Sequence, residues 1–553
     1  MALGTEYRVL LASLLVSSVL TAACGGDDRT AQPLTPDGVA PVGPVKGKPT
    51  NPADLGAGHV DSPPLPPLVD RPGVYDPADD GPVDVAVTIT DEQAFAAVKA
   101  DQAGARARIR FDAVGYTGAS GDAPNATIEL RGSTSRNASQ KSYQIKLAAD
   151  AAPWRGSRTI NLLKHPFDLT RVRNTLSFEY LRRITDITSL RTGFVHLFID
   201  SVDQGLYEWV EEPDEAFLAS HGLSTAGALY KAKNFPFAPI DNQTAADPAQ
   251  VDMIVAAKAR PDLAKLRRML AAVNDTKQPI DDVIAHYFNR ENYVTWLAVN
   301  VLLANYDSTF QNFMLYSPPG FEGWYVLPWD YDSAWGWNDQ PGEPRLPRWR
   351  QGVANWWSVI LHRRFLSEPH NLADVVARVG ALASTTVTDA ESTRMLARHQ
   401  ALIRAFISTS PDVDALPCAE PGTPAAIALW EAEYTRIATN AGRARDEFVA
   451  TLDRPMPYVL NLPARPSPEA VVFWWSPSFQ LRGAAISYDI EVNTNAAFDP
   501  AAGVAAATNL TEPTFTTALP SGHYFWRVIA RAATDPSNDW QQSVNGYLFV
   551  DVP

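Results

Sequence analysis

Three side chains between Asn305 and Gly336 have the types and spacing of a phosphoryl-transfer site. Asp307 and Asn312 stand four residues apart at the end of a long apolar run. Two short strand-like segments follow, and Trp329-Asp330-Tyr331-Asp332 closes the stretch before Gly336. A carboxylate placed like Asp307 can orient an acceptor hydroxyl and take its proton, while an amide and a later carboxylate hold the metal that bridges the phosphates. Such hard oxygen ligands suit magnesium or manganese, not zinc. Plainer roles stay open for each: Asp307 as an Asx-turn after a helix, Asp330 and Asp332 as a calcium-like structural site or as surface carboxylates.

The elements that must position these groups divide into a strand-rich half and a helix-rich half. From Val83 to about Glu212 the patterning predicts strands over 107–111, 126–130, 142–147, 159–163 and 194–212. The last of these is a hairpin turning at Asp203, Gln204 and Gly205. One helix, 169–184, interrupts the set with Asp168 as its N-cap. From Asp247 onward the pattern is helical, including one apolar helix over about 280–306; strands 313–316 and 324–327 follow, and helices fill 352–452. Two lobes with a cleft between them are expected. After Arg454, short alternating strands broken by Pro, Gly and Asn predict an all-β sandwich, with Trp474 or Trp475 in its core. It resembles a fibronectin type III module through Leu519, Gly522, Tyr524, Trp526 and Val528. Trp356 and Trp357 read as core packing.

The first half offers cationic partners for a phosphate. Glu129-Leu130-Arg131-Gly132-Ser133-Thr134-Ser135 leads through a small polar loop to Lys141-Ser142-Tyr143-Gln144-Ile145-Lys146-Leu147. A strand, a loop with free backbone N–H groups and a returning strand bearing a lysine can cover nucleotide phosphates. A surface hairpin with a salt-bridged lysine is the plainer alternative. Lys146 competes with Lys141 for the role, but strand alternation puts the two on opposite faces.

Taken in order, these segments resemble one family. They are Arg131-Gly-Ser-Thr-Ser135 with Lys141-Ser-Tyr143, Asn161-Leu-Leu163 with Asp168 and Arg173-Asn174, and Gly205-Leu-Tyr207 with Glu211. Leu229-Tyr-Lys231, Asp307 to Asn312 and Trp329-Asp-Tyr-Asp332 with Gly336 follow. The series is similar to the CotH (spore coat protein H) kinase family. That resemblance implies an α+β, atypical protein-kinase-like two-lobed fold over 73–455, followed by the small all-β sandwich over 456–553. It implies ATP- and metal-dependent phosphorylation, with magnesium or manganese, of serine in a secreted or coat protein. Carried over, Lys141 pairs with the nucleotide phosphates and Glu211 fixes that lysine. Asp307 is the catalytic aspartate, Asn312 and Asp330 are metal ligands, and Asp332 is a second ligand or its support. Arg131 and Lys231 are further phosphate contacts.

Residues 1–24 combine a polar start, an apolar run from Val9 to Leu20 and small residues before a cysteine, which marks a signal peptide. Leu20-Thr-Ala-Ala-Cys24 resembles a bacterial lipobox, implying lipidation at Cys24, a membrane anchor and a place in the cell envelope, at the outer membrane or cell surface. Eleven prolines between Thr30 and Pro72 make 25–72 a semi-rigid tether.

Composition narrows the alternatives. Of 553 residues, 47 are basic and 62 acidic, a net charge of −15 with no basic stripe, so nucleic acid is not an expected partner. Two cysteines, Cys24 and Cys418, build no disulfide framework, and Cys418 reads as a buried apolar residue. No Walker A loop, HExxH helix or GxSxG elbow is present. Besides a kinase with an exported protein as acceptor, two readings remain. One is a catalytically inactive structural or adhesive surface protein; the other is a transferase moving a different group, such as adenylyl, or using a sugar hydroxyl.

Overall fold

The computed structural model describes residues 63–69, 81–118, 121–417, 422–463, 466–532 and 540–553. Cys24, the signal segment, most of the tether and Cys418 lie outside the described residues. Two compact units are present, one built from Asn51–Arg345 with Ala373–Arg445, the other from Leu346–Leu372 with Asp446–Pro553.

The first unit begins with seven strands: β1 Val83–Ile89, β2 Ala107–Ala113, β3 Ala126–Arg131, β4 Ser142–Leu147, β5 Thr159–Leu163, β6 Thr192–Ile199 and β7 Val202–Glu211. They close into a barrel in the order β1-β2-β3-β4-β5-β7-β6. Only the β1–β6 contact is parallel, with Val83 opposite Val195 and Val87 opposite Ile199. Closure leaves no unpaired edge. Apolar residues at every second position, such as Val85, Val87, Ile109, Phe111, Ile128 and Ile145, meet Leu197 and Trp209 in one core. Each such side chain contributes about 1.5–3 kcal/mol on burial.

The expected strands are all found, but three local expectations are corrected. The β6–β7 hairpin turns at Asp200 and Ser201, with φ of 49° and 65°, a two-residue turn of the left-handed kind that matches strand twist. Gly205 instead lies within β7 beside a register shift opposite β6, a bulge that sharpens the local twist. The helix predicted from Leu169 spans only Arg173–Leu181; Asp168 does not cap it from the adjoining position but accepts hydrogen bonds from the Thr170 backbone N–H, at 2.8 Å, and hydroxyl. Helix Glu92–Lys99, capped by Asp91, is an element the strand pattern hid.

A second sheet follows, in the order β11-β10-β8-β9, with β8 Ala228–Ala232, β9 Val255–Ala259, β10 Phe313–Ser317 and β11 Tyr325–Pro328. Strand β9 falls in a region read as helical; pairing with β8, with Lys231 opposite Ala256, overrides the helix propensity of its alanines and lysine. The long apolar helix is two helices, Ile280–Tyr287 and Arg290–Leu302. Phe288 is extended, and the Asn289 side chain accepts from the Asn292 backbone N–H at 2.9 Å, so a fresh cap restarts the helix. Arg290–Leu302 is buried on nearly all its faces. Among the described residues no helix is long and apolar enough to cross a membrane.

In the second unit, a three-stranded sheet, β12 Leu460–Asn461, β13 Val471–Trp475 and β16 Thr514–Thr517, faces a five-stranded one. The latter contains β14 Ile486–Asn493, β15 Gly503–Leu510, β17 Gly522–Ala532, β18 Trp540–Gln542 and β19 Leu548–Val552. Both sheets supply one core, including Phe473, Trp475, Ile490, Trp526 and Val528. Of the two candidate tryptophans, Trp475 is 2% exposed and Trp474 46%. The 73–455 boundary placed Leu346–Leu372 in the first domain, but this segment belongs to the second unit. There Trp357 stacks on Phe479 at 5.5 Å and Arg348 lies over Trp540 at 3.9 Å.

Candidate phosphoryl-transfer site

The β10–β11 hairpin gathers the acidic residues. Phe313 pairs with Pro328, so Asn312, just before β10, and Asp330, just after β11, leave the same end of the hairpin. Both residues have left-handed backbones, φ 58° and 60°, which Asn and Asp tolerate better than other side chains. Asn312 donates from Nδ2 to Asp307 Oδ2 at 2.7 Å, and Gln311 donates to Oδ1 at 2.7 Å. Asp307 is therefore held by two amides and is half-buried.

Lys231 enters the same place from β8, which pairs with β10 through Met314. Its ammonium stands 4.9 Å from the centre of the Trp329 ring, and the Arg131 guanidinium, from the end of β3, 5.4 Å from that ring. Burial pushes the Lys231 amine down to about 8, against the pull of Asp330. Burial and then the neighbouring Asp332 push the Asp330 carboxyl up, with Lys231 and Arg131 offsetting part of this. Two carboxylates crowding each other beside two cations form a site that an added cation or a phosphate would balance.

Glu211 is not the partner of Lys141. It is buried at the end of β7, where Arg191 donates to its Oε1 at 2.8 Å and His221 lies 3.0 Å from Oε2. Burial opposes its charge, but His221 and Arg191 hold its carboxyl below the usual range. The Lys141 ammonium donates to the carbonyl of Arg136 and is half-buried. Lys146 pairs with Glu129 at 3.1 Å. The glutamate on the site's side is the next residue, Glu212, paired with Lys258 of β9 at 2.7 Å and accepting from Asn161 Nδ2 at 2.8 Å. Its carboxyl is held below the usual range despite burial, by Lys258, Asn161 and Arg131. Side chains alternate along a strand, so an error of one residue exchanges an inward carboxylate for an outward one. Lys258 was hidden because β9 carries no strand signature.

Buried polar groups fix the loop that bears Asp330 and Asp332. The Tyr331 backbone N–H donates to Asn174 Oδ1 at 2.8 Å, and Asn174 Nδ2 donates to the Glu208 carboxylate at 3.0 Å. Glu208 also binds His165, whose Nδ1 is 3.5 Å from Asp332. Burial works against the charge of His165, yet Glu208 and Asp332 raise it to about 10. Arg173 binds Asp168 and Glu433, all buried. Asp168, Arg173 and Asn174 thus build the scaffold under the acidic loop. Gly336 closes that loop at φ 63°, where a Cβ would stand 2.6 Å from Arg443 and 2.8 Å from Asn440.

The family model described as CotH kinase protein matches residues 128–446, more than half of the chain. The chain belongs to this family. Inner spore coat protein H of Bacillus subtilis (strain 168) is a CotH relative 26% identical over 213 residues, 38% of this chain. The match spans 58% of that relative's length. Among solved structures, a human fibronectin type III domain covers 18% of this chain and 86% of its own, at 17% identity and a TM-score of 0.14. The HipA–HipB–operator DNA complex of Shewanella oneidensis covers 52% and 59%, at 11% identity and a TM-score of 0.21. At such scores neither bears on the fold. The CotH match includes every candidate site residue from Arg131 to Asp332 and stops before the sandwich strands. Membership suggests a CotH-like, kinase-related function.

Glu211→Ala tests the corrected assignment. It leaves Arg191 and His221 without their carboxylate, and breaking such a buried pair costs about 3–5 kcal/mol. The expected result is a lower denaturation midpoint, with unchanged ATP affinity in the fraction that remains folded; affinity is read by calorimetry below the transition.

Proposed function

We propose that this chain is a secreted, lipid-anchored atypical kinase that transfers the γ-phosphoryl group of ATP to a serine or similar hydroxyl of an exported protein. The observation that carries this reading is the approach of Lys231 and Arg131, over Trp329, to Asp330 at the hairpin end that also bears Asn312 and Asp307. Lys231 and Arg131 neutralise the nucleotide phosphates, and Lys141 is left to the loop that covers them. Glu212 with Lys258 takes the place first given to Glu211 with Lys141. Asp330 and Asn312 offer hard oxygens for magnesium or manganese, with Asp332 as a further ligand or support; the metal supplies charge neutralisation at the phosphates. Asp307, oriented by Asn312 and Gln311, takes the acceptor's proton. The barrel and the part around the second sheet act as the two lobes of a kinase-like fold, and the sandwich is a fibronectin type III-like spacer or adhesion module. A lipid on Cys24 anchors the chain at the cell envelope.

A catalytically inactive surface protein is the competing reading. In its favour, the Asn312 amide is already engaged by Asp307, and among the described residues no group of three or more His, Cys, Asp or Glu is arranged to hold a metal. Calorimetric titration of ATP into the full chain, with and without magnesium or manganese, separates the two. Metal-dependent binding that Lys231→Ala weakens roughly 10- to 100-fold, the worth of a charge-assisted contact, and that Lys141→Ala changes far less, supports the kinase. No binding by the folded protein under either metal establishes the inactive reading. γ-Labelled against α-labelled ATP then distinguishes phosphoryl from adenylyl transfer.

A further inference from the structure

The last part of the proline-rich stretch is not a free tether. In 63–69, Pro-Pro-Leu-Pro-Pro-Leu-Val, only Leu65 and Leu68 are buried, 8% and 5% exposed, while the prolines between them and Val69 face solvent. A strand would bury every second residue. Burial at every third is the period of a polyproline II helix, which puts i and i+3 on one face, roughly 9 Å apart.

That helix makes no internal hydrogen bonds, so its carbonyls are left for a receptor. Here they are received. Asn289 Nδ2 donates to the carbonyls of Leu65, at 3.2 Å, and Pro66, at 2.9 Å, and the Tyr325 hydroxyl donates to Pro66 at 2.7 Å. Gly323 provides room for the first leucine, since a Cβ there would stand 2.8 Å from Leu65 Cδ1 and Cγ. An aromatic hydroxyl, an amide donor and a slot for an aliphatic side chain, presented together, are the chemistry by which proline-rich ligands are recognised.

We infer that Asn289, Gly323 and Tyr325 form a polyproline-binding groove, and that its occupant is this chain's own segment 63–69. The groove lies at the Tyr325 end of β11, away from the Asp330 end, so it binds the strap without contributing to phosphoryl transfer, and the inference is independent of the proposed activity. Its consequence is mechanical. Any spacer leading to an N-terminal anchor ends at Pro63 and not at Pro72, because the strap fixes the chain to the back of the hairpin.

The test uses the full chain and a fluorescent synthetic peptide with the sequence of residues 61–70. The groove is filled in the wild type, so the peptide is expected to bind Leu65→Asp/Leu68→Asp at least tenfold more tightly than wild type. Adding Gly323→Leu is expected to abolish that binding. Tyr325→Phe, which removes only the hydroxyl, is a milder check: thermolysin is expected to cut before Leu68 several-fold faster than in wild type. Failure of the peptide to bind a Leu65→Asp/Leu68→Asp protein that melts like wild type, or equal cleavage of wild type and Tyr325→Phe, would overturn the groove. A wild-type dimer by light scattering that Leu65→Asp/Leu68→Asp dissolves would overturn the cis occupant in favour of strap exchange between copies.

Discussion

Asp307→Asn is expected to lower phosphoryl transfer about 10²- to 10⁴-fold, the usual worth of a positioned general base, while leaving metal-dependent ATP binding within a few-fold of wild type. The substitution suits this separation because it keeps the shape of the side chain. Gln311 and Asn312 donate to the two carboxylate oxygens at 2.7 Å each, and an asparagine retains one acceptor for them while losing the ability to take a proton. Asp330→Asn is expected to behave differently. Asn accepts the left-handed backbone at φ 60°, so the loop stays folded, but the loss of a metal-ligating carboxylate removes binding as well as transfer. Single-turnover transfer with γ-labelled ATP, paired with calorimetry on both variants, reads the two quantities independently. Equal loss of binding in both would show that Asp307 is a metal ligand and not a base.

Gly205→Ala is expected to be the most damaging single substitution outside the site. At φ 77° the residue is in the left-handed region, and a Cβ there would stand 2.1 Å from Asp412 Oδ2 and 3.0 Å from Lys164 Nζ. Those two groups form a fully buried ion pair at 2.7 Å, and Asp412 also accepts from the Leu206 backbone N–H at 2.7 Å. The methyl group cannot be placed without separating the pair. Breaking a buried pair costs about 3–5 kcal/mol, and the backbone adds about 1 kcal/mol or more. Against a typical total of about 5–15 kcal/mol this is a large fraction. The expected result is a fall of roughly 10 °C or more in the transition of the barrel-containing unit, followed by calorimetry, with little change in that of the sandwich unit. A drop below about 2 °C would mean that Asp412 and Lys164 shift aside at low cost.

The motif residues around the site divide by what a one-dimensional pattern can carry. Asp307, Asn312 and Asp330 were legible because they lie on one hairpin and its flanks, where short spacing in sequence becomes proximity in space. The strands of the barrel were legible because a closed sheet buries one face, and Val85, Val87, Ile109 and Phe111 repeat at period two for that reason. The break at Phe288 was not, since apolar residues run through it and only the Asn289 cap interrupts the helix. Glu212 and Lys258 escaped for a related reason. A glutamate pair, Glu211-Glu212, looks the same in sequence whichever member faces inward, and the strand Val-Ala-Ala-Lys-Ala reads as helix until β8 pairs with it.

By itself, then, the sequence determined the kinds of chemistry available: oxygen ligands and a general base in one short stretch, cations in the preceding half, and a separate all-β end. Their chemical types and local spacing do not depend on distant contacts. Tertiary structure alone decided the partners. Lys231 meets Asp330, Glu211 goes to Arg191 and His221, and the leucines of a proline-rich segment find a groove some 220 to 260 residues away. Such pairings depend on which face of a strand points inward and which elements pack together, and both are set by burial of the whole core rather than by any local stretch of chain.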